Sequence, residues 1–147
     1  MPFDPALFAE LAVELPAIQK CDKEARIRTS FGRSYYAVFS ALRVALRSAE
    51  GRHMDDRIPE HGDLPKALYL AADESGDDEE KKTLTALAKT LEELMDARRQ
   101  ADYVLDPPAK WVSQFSKVRT AELAAKKARD VVARIRSMDL APVARKL

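Results

Sequence analysis

Apolar residues recur along the chain at spacings of three and four, the period of a helix that is buried on one side. Asp4 and Pro5 supply a capping side chain followed by a proline at the first helical position, and Pro16 ends the helix that they begin. On this first helix the pattern predicts a buried stripe of Leu7, Phe8, Leu11, Ala12 and Leu15.

A second and much longer periodic segment runs from about Asp22 to Glu50, with Gly51 as its stop signal. At about 100° per residue, one arc of this helix collects Ile27, Phe31, Tyr35, Val38, Phe39, Leu42, Leu46 and Ala49. A polar loop over residues 51–63 then leads to a short third helix from Leu64 to Ala72.

The fourth helix is predicted from Asp78 to Leu105, where the sequence Asp106-Pro107-Pro108 ends it. An acidic run, DESGDDEE, precedes it and suits the positive end of a helix dipole. The last helix is predicted over residues 120–138, with an inward face of Ala121, Ala125, Ala128, Val132 and Ile135. Residues 110–118, which include Trp111 and Phe115, fit either a helical turn or an irregular loop.

No segment alternates apolar and polar residues as a strand does, and we find no internal repeat or linker. Four principal helices with short connections predict an all-α fold, an up-and-down four-helix bundle with an additional short helix. We expect residues 1–147 to form one domain.

Composition agrees with a soluble globular protein, since 46% of the residues are hydrophobic and 33% are charged. Cys21 is the only cysteine, which excludes a disulfide within the chain. No apolar run is long enough to cross a bilayer, and the amino-terminal residues do not resemble a signal peptide. We therefore expect a cytoplasmic protein that does not contact membranes.

Two charged residues interrupt the apolar arc of the fourth helix, which otherwise holds Leu84, Leu87, Ala88, Leu91, Leu94, Met95 and Leu105. Arg98 and Asp102 are predicted to point along the centre of this arc, one helical turn apart, whereas Arg99 lies at its edge and Tyr103 beyond it. Such a pair satisfies its own charges. Its spacing leaves two interpretations open, a structural ion pair or part of a functional site.

The second helix carries a basic face on which an aromatic and a serine lie among arginines: Arg26, Arg33, Arg43 and Arg47, with Tyr36 and Ser40. Arginines next to an aromatic ring suit single-stranded nucleic acid, because arginines bind its phosphates and an aromatic ring stacks on its bases. The alternatives are a solvated face or a contact with a partner subunit.

The histidines give little support for a metal site. Glu50 and His53 have a Glu-x-x-His spacing, but a di-iron bundle needs a second such motif, and Gly51 interrupts the helix. His61 fits either a cap of the third helix or a catalytic group. The chain has no phosphate-binding glycine loop, so we expect no metal and no cofactor.

Several stretches, in order, resemble small stand-alone proteins of the HEPN family over roughly residues 20–137. They are GRSYYAVFSALRVAL at residues 32–46, the element His61-Gly62, the pattern Arg-x-x-Ala-Asp-Tyr ending at Tyr103, and AELAAKKARDVVARI at residues 121–135. The resemblance implies a helical bundle that dimerises, with a polar cleft near the dimer interface. Many HEPN proteins are metal-independent ribonucleases, often toxins paired with a nucleotidyltransferase antitoxin or parts of phage defence.

The resemblance also implies an active site in which an arginine is followed, after four to six residues, by a histidine. This chain departs from it, because the corresponding positions are Tyr103, Val104, Leu105 and Asp106. Our main hypothesis is therefore a homodimeric module that binds RNA or a nucleotide without ordinary ribonuclease chemistry. One alternative is a metal-independent endoribonuclease that uses Arg98, Tyr103 and, if its loop folds over Arg98, His61. The other is a scaffold whose basic face forms the dimer contact.

Overall fold

The computed structural model of the protein describes residues 4–19, 23–49, 61–103 and 120–147. Its elements are α1 Ala6–Glu14, α2 Lys23–Ala49, α3 Asp63–Glu74, α4 Asp78–Tyr103, α5 Ala121–Ile135 and α6 Ala141–Ala144, with a 3-10 turn at Leu15–Ala17. These ranges contain no strand, and the predicted all-α helical bundle is confirmed. The predictions for Cys21, His53 and residues 110–118 lie outside the described residues.

Helix α2 is the central element, because it packs against α1, α4, α5 and α6. It buries the large side chains that its period predicted, namely Phe31, Tyr35, Val38, Phe39, Leu42 and Leu46. The buried faces of α4 and α5 are rich in alanine: Ala88, Ala97, Ala101, Ala121, Ala124, Ala125 and Ala128. These small residues let the two helices lie close to the bulky face of α2.

The predicted stripe of α1 is only partly right, since Ala12 is buried and Phe8 packs against the core, but its leucines were assigned to the wrong face. Leu7 and Leu11 are exposed, whereas Ala9 and Ala12 are buried. The hydroxyl of Ser30 in α2 donates to the backbone oxygen of Ala12 at 2.7 Å, so the two helices meet through their small residues. The prediction of a leucine stripe was wrong because side-chain hydrophobicity alone does not show which face allows the closest approach.

Side-chain caps mark the starts of three helices close to their predicted positions. Asp4 accepts from the backbone nitrogen of Ala6 at 2.9 Å, Asp77 from that of Glu79 at 2.8 Å, and Thr120 from that of Leu123 at 3.1 Å. Asp77 belongs to the acidic run, whose predicted role at the start of α4 is thus confirmed.

The last predicted helix is present as α5 but ends at Ile135, before the predicted end at Met138, and the short α6 lies beyond the predicted range. All five residues predicted to face inward from α5 are buried. None of the described helices is both long enough and apolar enough to cross a membrane.

Candidate functional site

Three aromatic residues of α2 form the floor of the candidate site. The rings of Tyr35 and Tyr36 meet edge to face at 5.3 Å between centroids, and Tyr35 stacks on Phe39 at 5.6 Å. Tyr35 is fully buried, whereas Tyr36 is half-buried and also approaches Phe8 of α1, with centroids 6.5 Å apart. The sequence pattern assigned Tyr35 and Phe39 to the core, which is correct, but did not indicate that they also support a site.

His61 lies on this aromatic floor. Its ring centroid is 4.7 Å from that of Phe39, 5.5 Å from that of Tyr35 and 6.3 Å from that of Tyr36. A hydrogen bond of 2.5 Å joins its Nδ1 atom to the hydroxyl oxygen of Tyr35. No side chain caps the start of α3, where Gly62 is the N-cap residue, so His61 does not cap the helix.

Arg98 of α4 covers the same tyrosines from the other side of the helix interface. Its Cζ atom is 5.3 Å from the ring centroid of Tyr36 and 5.7 Å from that of Tyr35, distances at which a guanidinium is attracted to an aromatic face. Its Nε atom donates to Oδ2 of Asp102 at 2.9 Å. The predicted ion pair is therefore present.

The orientation predicted for this pair was only partly right. The side chain of Arg98 is 18% exposed but that of Asp102 is 38% exposed, so the carboxylate lies at the solvent edge rather than in the apolar arc. Ala97 and Ala101 form the buried edge of α4 instead. Arg28 of α2 donates to the backbone oxygen of Ala101, which turns this alanine edge toward α2.

The predicted basic face of α2 does not act as one open surface. Arg26 donates to the backbone oxygen of Pro16 at 2.8 Å, a contact that ties α2 to the 3-10 turn. The Cζ atom of Arg33 lies 5.0 Å from the ring centroid of Phe8, and that of Arg43 lies 5.7 Å from the centroid of Phe39. Arg47 is exposed.

Residues of the two predicted sites, the one around Arg98 and the basic face of α2, lie together in the structure. The His61 cluster, as we call it, consists of Tyr35, Tyr36, Phe39, Arg43, His61 and Arg98. It joins Arg98 and His61 from one predicted group with Tyr36 and Arg43 from the other. Tyr103, at the end of α4, is 72% exposed and extends into solvent.

The charges around His61 favour an incoming anion. Partial burial, followed by the positive charges of Arg98, Arg99 and Arg43, lowers the pKa of the imidazole below its usual value of 6.5. Burial raises the pKa of the Tyr35 hydroxyl to about 12, although Arg98 acts in the opposite direction. At neutral pH the cluster therefore combines a neutral imidazole, a protonated phenol and the guanidinium groups of Arg43 and Arg98, with the charge of the exposed Arg99 also acting on His61.

A neutral imidazole accepts on one nitrogen and donates on the other. Because Tyr35 stays protonated, its hydroxyl can donate to Nδ1, and the imidazole then carries its proton on Nε2. The described residues contain no group of three or more histidine, cysteine, aspartate or glutamate side chains arranged to hold a metal. What the cluster offers is anion binding, stacking and proton transfer.

No protein-family model matches the chain, and no solved structure matches it. Fold and site thus define a helical bundle with a cationic, aromatic cluster beside its central helix. The chain is 32% identical over 123 residues to the uncharacterized protein MJ0992 of Methanocaldococcus jannaschii, an alignment that spans 79% of this chain and 67% of the relative. The chain belongs to the same family as that archaeal protein.

Proposed function

We propose that the protein is a HEPN-type module that binds single-stranded RNA at the His61 cluster. The observation that carries the proposal is the meeting of Arg98, His61 and Arg43 around the ring of Tyr36 and its aromatic neighbours. It also rests on the resemblance of the motifs that contribute these residues, GRSYYAVFSALRVAL, His61-Gly62 and Arg-x-x-Ala-Asp-Tyr.

The chemistry of the cluster suits single strands better than duplexes. An unpaired base offers a flat face that stacks on an aromatic ring or on a guanidinium plane, whereas the bases of a duplex are already stacked. Tyr36 is half-buried beneath Arg98, so the guanidinium plane extends the stacking surface outward. Arg43 beside Phe39 and the exposed Arg47 lie on the same helix, where they can contact successive phosphates.

The first test is the salt dependence of RNA binding. We expect a fluorescently labelled single-stranded oligoribonucleotide to bind, and the Arg43→Ala, Arg47→Ala double variant to bind more weakly. If both arginines contact phosphates, the slope of log K against log salt concentration should fall in magnitude by about 1.4. Fluorescence anisotropy at several salt concentrations measures both quantities.

The matched control is the Lys126→Ala, Arg129→Ala double variant, which removes the same charge from exposed positions of α5. Unchanged affinity in the α2 variant, or an equal loss in the α5 variant, would contradict RNA binding at the His61 cluster.

A second candidate function is metal-independent RNA cleavage, favoured by the approach of both His61 and Arg98 to the ring of Tyr36. In this chemistry the 2′-hydroxyl attacks phosphorus, the 5′-oxygen leaves, and a 2′,3′-cyclic phosphate remains. His61 would take the proton of the 2′-hydroxyl and deliver it to the leaving 5′-oxygen, and Arg98 would stabilise the charge of the phosphorane. A histidine that precedes the arginine in the chain would then replace the one that ordinarily follows it.

For this candidate we expect cleavage in the presence of EDTA, with 2′,3′-cyclic phosphate ends identified by mass spectrometry. His61→Gln should lower the cleavage rate by about a hundredfold or more, because it removes the proton-transfer group. Tyr103→Phe tests the tyrosine that follows Arg98 in the motif. Wild-type protein that binds RNA but leaves it intact would restrict the function to binding.

Further parts of the proposal rest on the resemblance alone. They are a homodimer, a partner of the nucleotidyltransferase type and a role in a toxin–antitoxin or defence system; the proposed cytoplasmic location rests on the sequence pattern instead. The alternative of a scaffold with the basic face as its dimer contact receives less support, because Arg26 and Arg33 contact the 3-10 turn and α1 of their own chain.

A further inference from the structure

Asp102 occupies one of the hydrogen-bond donors of the Arg98 guanidinium. Its Oδ2 atom accepts from Nε of Arg98 at 2.9 Å, along one edge of the guanidinium. A guanidinium edge recognises carboxylates and phosphates with the same donors. The Cζ atom of the same guanidinium lies 5.3 Å from the ring centroid of Tyr36 and 5.7 Å from that of Tyr35.

We propose that Asp102 is the built-in counter-anion of Arg98, which sets the affinity of the site by competing with the phosphate group of the ligand. The inference rests on the proposed function, because it concerns regulation of the same site. It makes Arg98–Asp102 an ion pair that has to separate when a phosphate binds, rather than one that only supports the fold.

The exposure of the pair makes the exchange feasible. The side chain of Asp102 is 38% exposed, so its carboxylate can turn into water without being left buried and unpaired. Exposed pairs one helical turn apart are weak, which means that little is lost when the pair opens.

The surroundings favour a phosphate over the carboxylate. Arg43 of α2 lies over the ring of Phe39, on which His61 packs, so a second cation lies within the same cluster as Arg98. A phosphate that reaches Arg98 can interact with this second cation as well, whereas Asp102 is bound to Arg98 from its own helix. A strong anion should therefore displace the carboxylate, and a weak one should not.

The test compares Asp102→Asn with Asp96→Asn, its matched control. Asp96 lies on α4 roughly 160° around the helix from Arg98, and its change removes the same charge. We expect Asp102→Asn to bind a single-stranded oligoribonucleotide, and inorganic pyrophosphate, about two- to fivefold more tightly than Asp96→Asn does. Calorimetry measures the affinity for each ligand. The NMR chemical shift of the Arg98 Nε–H should change when either ligand binds to the wild-type protein.

Equal affinities in the two variants would overturn the inference. Weaker binding by Asp102→Asn would also overturn it, because it would show that the carboxylate orients Arg98 for binding. If pyrophosphate binds with the expected difference and RNA does not bind to any of the three proteins, the counter-anion role stands and the RNA proposal fails. If neither ligand binds, both are wrong.

Discussion

Arg98→Ala is expected to lower the affinity for single-stranded RNA by about ten- to a hundredfold, the largest effect of any single change at the site. Two interactions are lost together, a charged hydrogen bond to phosphate and a stacking surface for a base. No other described arginine has its guanidinium over two tyrosines of α2 while it also lies beside His61. Fluorescence anisotropy with the same oligoribonucleotide measures the change.

Two further variants separate the reasons for this loss. Arg99→Ala removes an exposed charge from the next position of α4 and should weaken binding only severalfold. Arg98→Lys keeps the charge but has no planar group, so we expect it to recover only part of the affinity. Equal losses in Arg98→Ala and Arg99→Ala would show that the site responds to net charge alone.

The stability of Asp102→Asn, which removes the ion pair but keeps the contacts of Arg98 with Tyr35 and Tyr36, decides between the two interpretations of the pair. Because the carboxylate is at the solvent edge, the pair should contribute only about 0.3–0.5 kcal/mol to folding. Thermal unfolding followed by circular dichroism should therefore show a small decrease in Tm. A variant that does not fold would show that the pair is structural.

The long helices α2, α4 and α5 were predictable because each is amphipathic over about four or more turns, so their period was visible without the partners. The inward faces of α2 and α5 followed directly from that period. The prediction failed for Leu7 and Leu11 of α1, which are exposed, although Ala12 of the same stripe is buried beside Ala9. Which face of a short helix is buried depends on the helices it meets, and a pattern of 9 residues holds little information about them.

The composition of the site was partly predictable and its geometry was not. Arg98, His61, Tyr36 and Arg43 were each recognisable as candidates, because charged and aromatic side chains are unusual at their positions. Their meeting depends on the packing of α2 against α4 and on the position of His61, which precedes α3 and lies 37 residues before Arg98 along the chain. Tyr35 was hidden from the prediction by its fit to the apolar arc.

Tyr35→Ala is expected to destabilise the fold by about 3–5 kcal/mol, because it removes a fully buried ring from the centre of the bundle. The lost contacts include those with Tyr36, Phe39 and His61. Urea unfolding measures the free energy of unfolding. As a control, Val44→Ala on the same helix shortens a side chain that is 50% exposed. It should change the free energy of unfolding by less than about 0.5 kcal/mol.

Tyr35→Phe separates the hydroxyl from the ring. It keeps the buried ring but loses the hydrogen bond to His61, which should cost about 0.5–1.5 kcal/mol near neutral pH. A smaller loss for Phe than for Ala assigns most of the contribution of Tyr35 to packing. Equal losses would mean that the link to His61, rather than the ring, holds this part of the core together.

The hydroxyl of Tyr35 also predicts how stability changes in alkali. Its pKa is about 12 in the folded protein and 10.0 ordinarily, so the protonated form is favoured by folding. The stability that this provides is complete below pH 10 and is lost as the pH rises toward 12. Tyr35→Phe should lose less stability than wild type over that interval.

The pKa of Tyr69 is likewise raised to about 12, mainly by burial and by its hydrogen bond to Glu92, so Tyr69→Phe serves as the parallel variant. If Tyr35→Phe and wild type lose stability equally, the Tyr35 hydroxyl is already accessible to water, and His61 is not held by a protonated phenol.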